Sequence, residues 1–157
     1  MGQVPNMRFC AKCSTLFFDG DSNKGACPAD GHGHAAAGFM FVLSFNLPET
    51  PNTQGAWQQC GKCQAIFFDG FPTKGVCDAG GGHQGSRQFP FLIPHDVPSE
   101  AHAQPGWEFC TKCNAMFFDG SDNKGHCAAG AGHERNPSAF HFVLTHDITH
   151  AVPIDDG

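Results

Sequence analysis

The sequence predicts an all-β fold of three zinc-stapled repeats, and three observations lead there. Every cysteine falls in one pattern that recurs each 50 residues: Cys10, Cys13 and Cys27, then Cys60, Cys63 and Cys77, then Cys110, Cys113 and Cys127. The 157 residues include 20 Gly, 11 Pro and 16 Phe, and only 15% are charged. That composition argues against long helices and for short strands joined by turns. Near the end of each repeat Phe alternates with other residues, as on a half-buried strand.

The period divides one domain, 1–157, into repeats at 7–56, 57–106 and 107–157. Each unit reads W-x-x-C-x-K-C-x3-F-F-D-G-x3-K-G-x-C-x5-H, followed by F-x-F. The first repeat carries Met7 where the others carry Trp57 and Trp107, and one extra residue before its histidine. Such self-similarity is the signature of a repeat architecture.

About four short strands are expected per unit. Residues 58–59 and 108–109 lead into the first cysteine as one strand. Residues 65–69 form a second, 70–74 a turn, and 75–77 a returning strand. The glycines after Asp and after Lys supply the positive φ that tight turns need. Residues 39–43, 89–93 and 140–144 form the last strand, with Pro90 marking an edge or a bulge because it has no N–H to donate. The stretches 46–56 and 96–106 read as Pro-rich polar linkers, and 146–157 as a further linker-like tail. Twelve strands in three copies suit a β-trefoil-like closure with pseudo-threefold symmetry. A linear array of zinc ribbons is the alternative.

The spacing C-x2-C-x13-C-x5-H carries the chemistry. Two thiolates of a C-x2-C knuckle meet one ion from a tight turn, a hairpin returns the third, and a histidine completes a tetrahedron suited to Zn2+. The sites are therefore Cys10, Cys13, Cys27 and His34; Cys60, Cys63, Cys77 and His83; and Cys110, Cys113, Cys127 and His133. His32 is the alternative to His34. Disulfides are disfavoured, because an odd number of cysteines cannot pair completely within one chain. Four protein ligands fill the coordination sphere, so the ions are structural rather than catalytic. A unit of this size has a marginal core, so the metal is expected to support folding, and loss of Cys77 or His83 to unfold the middle unit. Lys12, Lys62 and Lys112, inside the knuckles, either offset the negative charge of a three-thiolate site or stay in solvent.

Other residues divide between structural and ligand-binding readings. Asp19, Asp69 and Asp119 precede Gly, with Lys24, Lys74 and Lys124 five positions on. This favours turn capping and cross-hairpin pairing over a repeated ligand site. Trp57 and Trp107 are favoured as core over stacking platforms for a sugar or base. In Phe17-Phe18, Phe67-Phe68 and Phe117-Phe118, adjacent strand residues point to opposite faces, one of them into the core. His95-Asp96 and His146-Asp147, with His150, read as surface histidines. His102, His126 and His141 show no partner in the sequence.

Common enzyme motifs are absent, including G-x-S-x-G, H-E-x-x-H, Walker A and G-x-G-x-x-G. Three equal units suit repeated binding better than one asymmetric active site. A net charge of -6 disfavours nucleic acid, whose binders present basic patches. No apolar run approaches the ~20 residues of a membrane helix. The N-terminus has no apolar signal-peptide core. The expectation is a soluble chain, secreted or surface-released.

The units Trp57–His83 and Trp107–His133 resemble a bacterial repeat family with the pattern W-x-W-C-x-K-C-x2-L-F-F and C-P-A-G-G-x-H. Met7 in place of Trp and a last strand without tyrosine depart from it. The resemblance implies accessory modules beside secreted hydrolases, or small stand-alone proteins, with a non-catalytic lectin-like or adhesive role. A weaker resemblance links the Trp before C-x2-C to Ran-binding-protein-type zinc fingers. The expected function is therefore a non-enzymatic, multivalent, zinc-stabilised module. Its expected ligand is a carbohydrate or other cell-surface group, contacted through Trp57, Trp107, Asp19, Asp69 and Asp119. The alternative is a zinc-ribbon module for protein or RNA interaction.

Overall fold

The computed structural model describes residues 2–136 and 140–147. All its regular elements are strands. They are β1 (Gly2–Cys10), β2 (Leu16–Phe18), β3 (Ala36–Phe45), β4 (Thr53–Gln59), β5 (Ile66–Phe68), β6 (Phe91–Pro94), β7 (Ala103–Phe109), β8 (Met116–Phe118) and β9 (Phe142–His146). Among the described residues no helix is long and apolar enough to cross a membrane.

Each repeat is a three-stranded antiparallel sheet with its first strand in the middle. In the second repeat Trp57 pairs with Phe68 on one side and Phe91 on the other. Met7 and Trp107 hold the same place in the other two. The three sheets then join at both ends. At one end the last strands pair with each other, through Ser44↔Leu92, Phe41↔His146 and the bridge His95↔Phe142. At the other the short strands touch through Phe17↔Ala65, Phe67↔Ala115 and Thr15↔Phe117. Both sets of contacts run around a threefold axis and return to their start. The result is a nearly closed barrel-like sheet, and the linear array is set aside.

The enclosed core repeats the same four positions three times. Met7, Trp57 and Trp107 form one set, and Leu16, Ile66 and Met116 a second. Phe41, Phe91 and Phe142, with Leu43, Ile93 and Leu144, complete it. Large aromatics dominate so small an interior, and the flexible Met7 fills the place of an indole in the first repeat.

Local detail differs from the sequence expectations in three ways, one being that the last strands of repeats two and three begin at Phe91 and Phe142 rather than at residues 89 and 140. Three strands form per repeat, not four, because residues 75–77 do not return as a strand. Their backbone crosses the next repeat instead. A Cβ on Gly75 would lie 2.2 Å from the Cys113 carbonyl oxygen, at a φ of +77°. The linkers also contribute structure. Thr53 and Gln54 pair with Pro94 and Ile93, and Ala103 and Gln104 with Thr145 and Leu144. β4 and β7 therefore begin inside the stretches expected to be linkers. A bulge before Trp57, with Ala56 at a φ of +67°, re-aims it into the core. The tail beyond Asp147, including His150, lies outside the described residues.

Candidate metal centres

Three buried groups of three cysteines and one histidine form as the spacing predicts, and His34 rather than His32 completes the first. Within each, the ligand atoms all lie within 4.8 Å of one another. Cys10 Sγ and Cys27 Sγ are 3.8 Å apart, and the matching pairs 60/77 and 110/127 are 3.9 and 3.8 Å apart. The second cysteine lies 3.5, 3.5 and 3.6 Å from histidine Nδ1 in the three groups. A tetrahedral ion with bonds of ~2.3 Å to sulfur and ~2.0 Å to nitrogen has edges of about 3.8 Å between sulfurs and about 3.5 Å between sulfur and nitrogen. The donor sets therefore fit three structural zinc ions.

The thiols' proton affinities agree. Hydrogen bonds with Cys13 and Cys27 push Cys10 far below its ordinary value, while hydrogen bonds with Cys10 and Cys27, then burial, push Cys13 far above. Cys60 and Cys63 diverge in the same directions, as do Cys110 and Cys113. Without an ion, the second cysteine of each trio holds its proton against its two neighbours. A divalent cation among them removes that obstacle and deprotonates coordinating thiols outright.

The recurrent motifs are the surroundings of these sites. The first Phe of each pair stacks on the liganding imidazole, Phe17 on His34 with centroids 4.7 Å apart, and likewise Phe67 on His83 and Phe117 on His133. The second Phe turns to the core and lies over the glycine that follows Asp. A Cβ on Gly20, Gly70 or Gly120 would meet that ring at 2.3–2.4 Å. Lys24, Lys74 and Lys124 each bind the Asp five residues earlier, through its carboxylate at 2.7–2.9 Å and through its carbonyl. The knuckle lysines are neither free nor on the sulfurs: Lys12 pairs with Asp30, and Lys62 and Lys112 donate to the Gly80 and Gly130 carbonyls. Each ties its knuckle to the loop after the third cysteine.

The other imidazole nitrogen joins neighbouring sites. His34 Nε2 donates to the Cys63 carbonyl at 3.0 Å, His83 Nε2 to Cys113 and His133 Nε2 to Cys13, both at 2.9 Å. An N–H held on a carbonyl fixes the tautomer that leaves Nδ1 for metal. The Phe18, Phe68 and Phe118 amides donate to the carbonyl of the residue after that cysteine, in Gln64, Asn114 and Ser14. The hollow on the axis, where His34, His83 and His133 converge, measures about 20 Å³. It is far smaller than ligand pockets.

The residues expected to contact a ligand do other work. Trp57 and Trp107 are fully buried, and their indole N–H groups donate to Gln54 and Gln104 at 2.9 Å. They offer no face for stacking a ligand. Asp19, Asp69 and Asp119 are the lysine partners described above. His95 and His146 are not surface residues: they are 3% and 6% exposed. Each stacks on a Phe of the following repeat, His95 on Phe140 and His146 on Phe39, with centroids 3.6 and 3.7 Å apart. His141 has a partner after all, the buried Glu108 carboxylate at 2.6 Å, and His102 Nδ1 donates to the His146 carbonyl.

Sequence reasoning missed the clefts between repeats. Between repeats three and one, Phe118, Gln104 and Ser121 face Phe9, Phe39 and Phe41 across about 320 Å³. Between repeats two and three the same positions, Phe68, Gln54 and Phe71 facing Phe109, Phe140 and Phe142, enclose about 130 Å³. Phe71 narrows it, with its ring edge-on to Phe68 and Phe109. Between repeats one and two, Arg87 occupies the equivalent place. Its guanidinium lies 4.9 Å from the Phe18 centroid and 5.5 Å from that of Phe91, and Nε donates to Gln59 Oε1.

Comparison of the chain with protein-family models, curated proteins and solved structures gave no match.

Proposed function

We propose that the protein is a non-catalytic interaction module in which zinc supports the scaffold and the inter-repeat clefts meet the ligand. The observation that carries this reading is the gradation of three equivalent aromatic clefts, from filled to half-filled to open. Each metal group supplies four protein ligands, so no coordination position is left for a substrate. The indoles and carboxylates that pointed to a carbohydrate are used inside the fold, which favours a polypeptide over a glycan as ligand. One observation keeps a glycan as the second reading. Phe39, Phe89 and Phe140 stand at matched positions with 40%, 39% and 41% of their surface exposed. Three matched aromatic faces suit a repetitive ligand through avidity.

The test probes zinc-loaded protein and its Phe39→Asp variant on a peptide array and a glycan array side by side, after equal zinc content has been verified. A peptide signal lost in the variant supports the first reading, and a glycan signal lost in it supports the second. Signals of equal strength from both proteins, or none, contradict the assignment of the clefts as binding surfaces.

A further inference from the structure

From the contrast among the clefts we infer that the open one, between repeats three and one, receives an arginine side chain of a partner polypeptide. The inference rests on the reading of the clefts as binding surfaces and names their ligand. The protein already contains this complex in intramolecular form. Arg87 lies against Phe18 and Phe91, the counterparts of Phe118 and Phe41 in the open cleft. A guanidinium is planar, weakly hydrated and attracted to aromatic faces, so two ring walls receive it better than they receive an ammonium. Gln59 supplies the acceptor for Arg87. In the open cleft Phe9 stands at that place, and the polar group of the wall is the Gln104 carbonyl, whose oxygen also receives the Trp107 N–H.

Charge points the same way. Burial lowers the proton affinity of Arg87, and the Asp21 carboxylate partly offsets this; Ser121 stands at the Asp21 position in the open cleft, with Asp122 the next residue. On the other wall, Asp147 accepts the Met40 N–H beside Phe39, and its side chain is 44% exposed. Arg8 has its fork turned onto the Gly38 and Phe39 carbonyls of that wall. The chain as a whole carries -6, which draws basic partners.

The test titrates the zinc-loaded full chain with the acetylated, amidated tripeptide Gly-Arg-Gly, followed by the aromatic proton resonances. The peptides with Lys or Leu at the centre are the comparisons. Two variants complete it. Ser121→Phe places in the open cleft the ring that Phe71 places in its neighbour, at an exposed turn position that accepts Phe in repeat two. Arg87→Ala empties the filled cleft, and it is used only after its zinc content and near-ultraviolet spectrum have been matched to wild type. The expected result is one saturable site per chain, about tenfold tighter for Arg than for Leu. That site is lost in Ser121→Phe and joined by a second in Arg87→Ala. Equal binding of the Leu peptide overturns the arginine assignment and leaves the clefts as apolar binding surfaces. Arg binding unchanged in Ser121→Phe places the cation elsewhere on the acidic surface and overturns both readings. Absence of binding in wild type and in Arg87→Ala overturns the inference as well.

Discussion

His133 Nε2 donates to the carbonyl of Cys13 across 2.9 Å and 120 residues of chain. Nothing local brings these two groups together, and their bond closes the ring that His34 and His83 begin. Each histidine ligand of one site thus rests on the knuckle of the next. All four ligands of each group come from one repeat, but each histidine donates its second ring N–H to a neighbour, so the three metal groups brace one another. Loss of Cys77 or His83, expected from the sequence to unfold the middle unit, should therefore act on the whole sheet.

The first prediction separates the two histidines of repeat one. His34 lies in the metal group, whereas His32 is exposed and its backbone N–H bonds Asp30. His34→Ala is expected to lower the zinc content below three per chain and to depress the melting temperature. His32→Ala should change neither. Elemental analysis with a thermal melt reads both, and equal effects would contradict the assignment.

A second prediction uses two glycines with the same backbone. Gly25 and Gly31 both have a φ of +78°, but a Cβ on Gly25 would lie 2.0 Å from the Cys63 carbonyl oxygen, while one on Gly31 meets nothing within 4 Å. Gly31→Ala should cost only the left-handed strain, about 1 kcal/mol. Gly25→Ala adds an overlap with backbone that has no flexible end to yield, for a total of roughly 2–5 kcal/mol. Denaturant melts of the two variants give the comparison.

The third concerns the indoles. Trp57→Ala removes a fully buried side chain from the centre of the core, at a cost of about 3–5 kcal/mol. A variant that melts like wild type and instead loses only a ligand would return Trp57 to the role of contact residue.

A fourth follows from Glu108 and His141. The Glu108 carboxylate holds the His141 imidazole above its ordinary value, and burial pushes Glu108 above its own. Both groups bind protons more tightly in the folded chain than in the unfolded one. Their contribution is therefore full at pH below the unfolded values and declines as pH rises through the folded ones. His141 is half exposed, so the effect is small. His141→Met, the residue at the same place in repeat one, should flatten the decline in melting temperature between about pH 6 and 8. Parallel profiles for the two proteins would contradict this.

The metal ligands and turns were legible because they are local. C-x2-C, Asp-Gly and Lys-Gly act over a few residues, and one Phe of each alternating pair, Phe41, Phe91 and Phe142, faces the core, while Phe39, Phe89 and Phe140 two residues earlier stay about 40% exposed. What escaped depends on neighbours across repeats. Gly75 fits the returning strand of a hairpin in sequence, yet its conformation serves the close approach to the Cys113 carbonyl. Thr53 and Gln54 look like linker because their pairing partners, Pro94 and Ile93, lie forty residues on. His95 and His146 look like surface residues in sequence but are buried, and the sequence carries a signal of it. Repeat one has Phe45 at that position, stacked near Phe89, and an aromatic there already marks it as packed.

The central claim, three zinc ions in one mutually braced ring, is tested most directly by native mass spectrometry of the full chain during stepwise chelation. The account predicts three zinc ions per chain, and a passage from the three-zinc compact species to the zinc-free unfolded one with little of the one- and two-zinc forms between. Folded one- and two-zinc species that accumulate as independent sites would contradict the bracing, and a compact zinc-free chain would contradict the structural role of the metal.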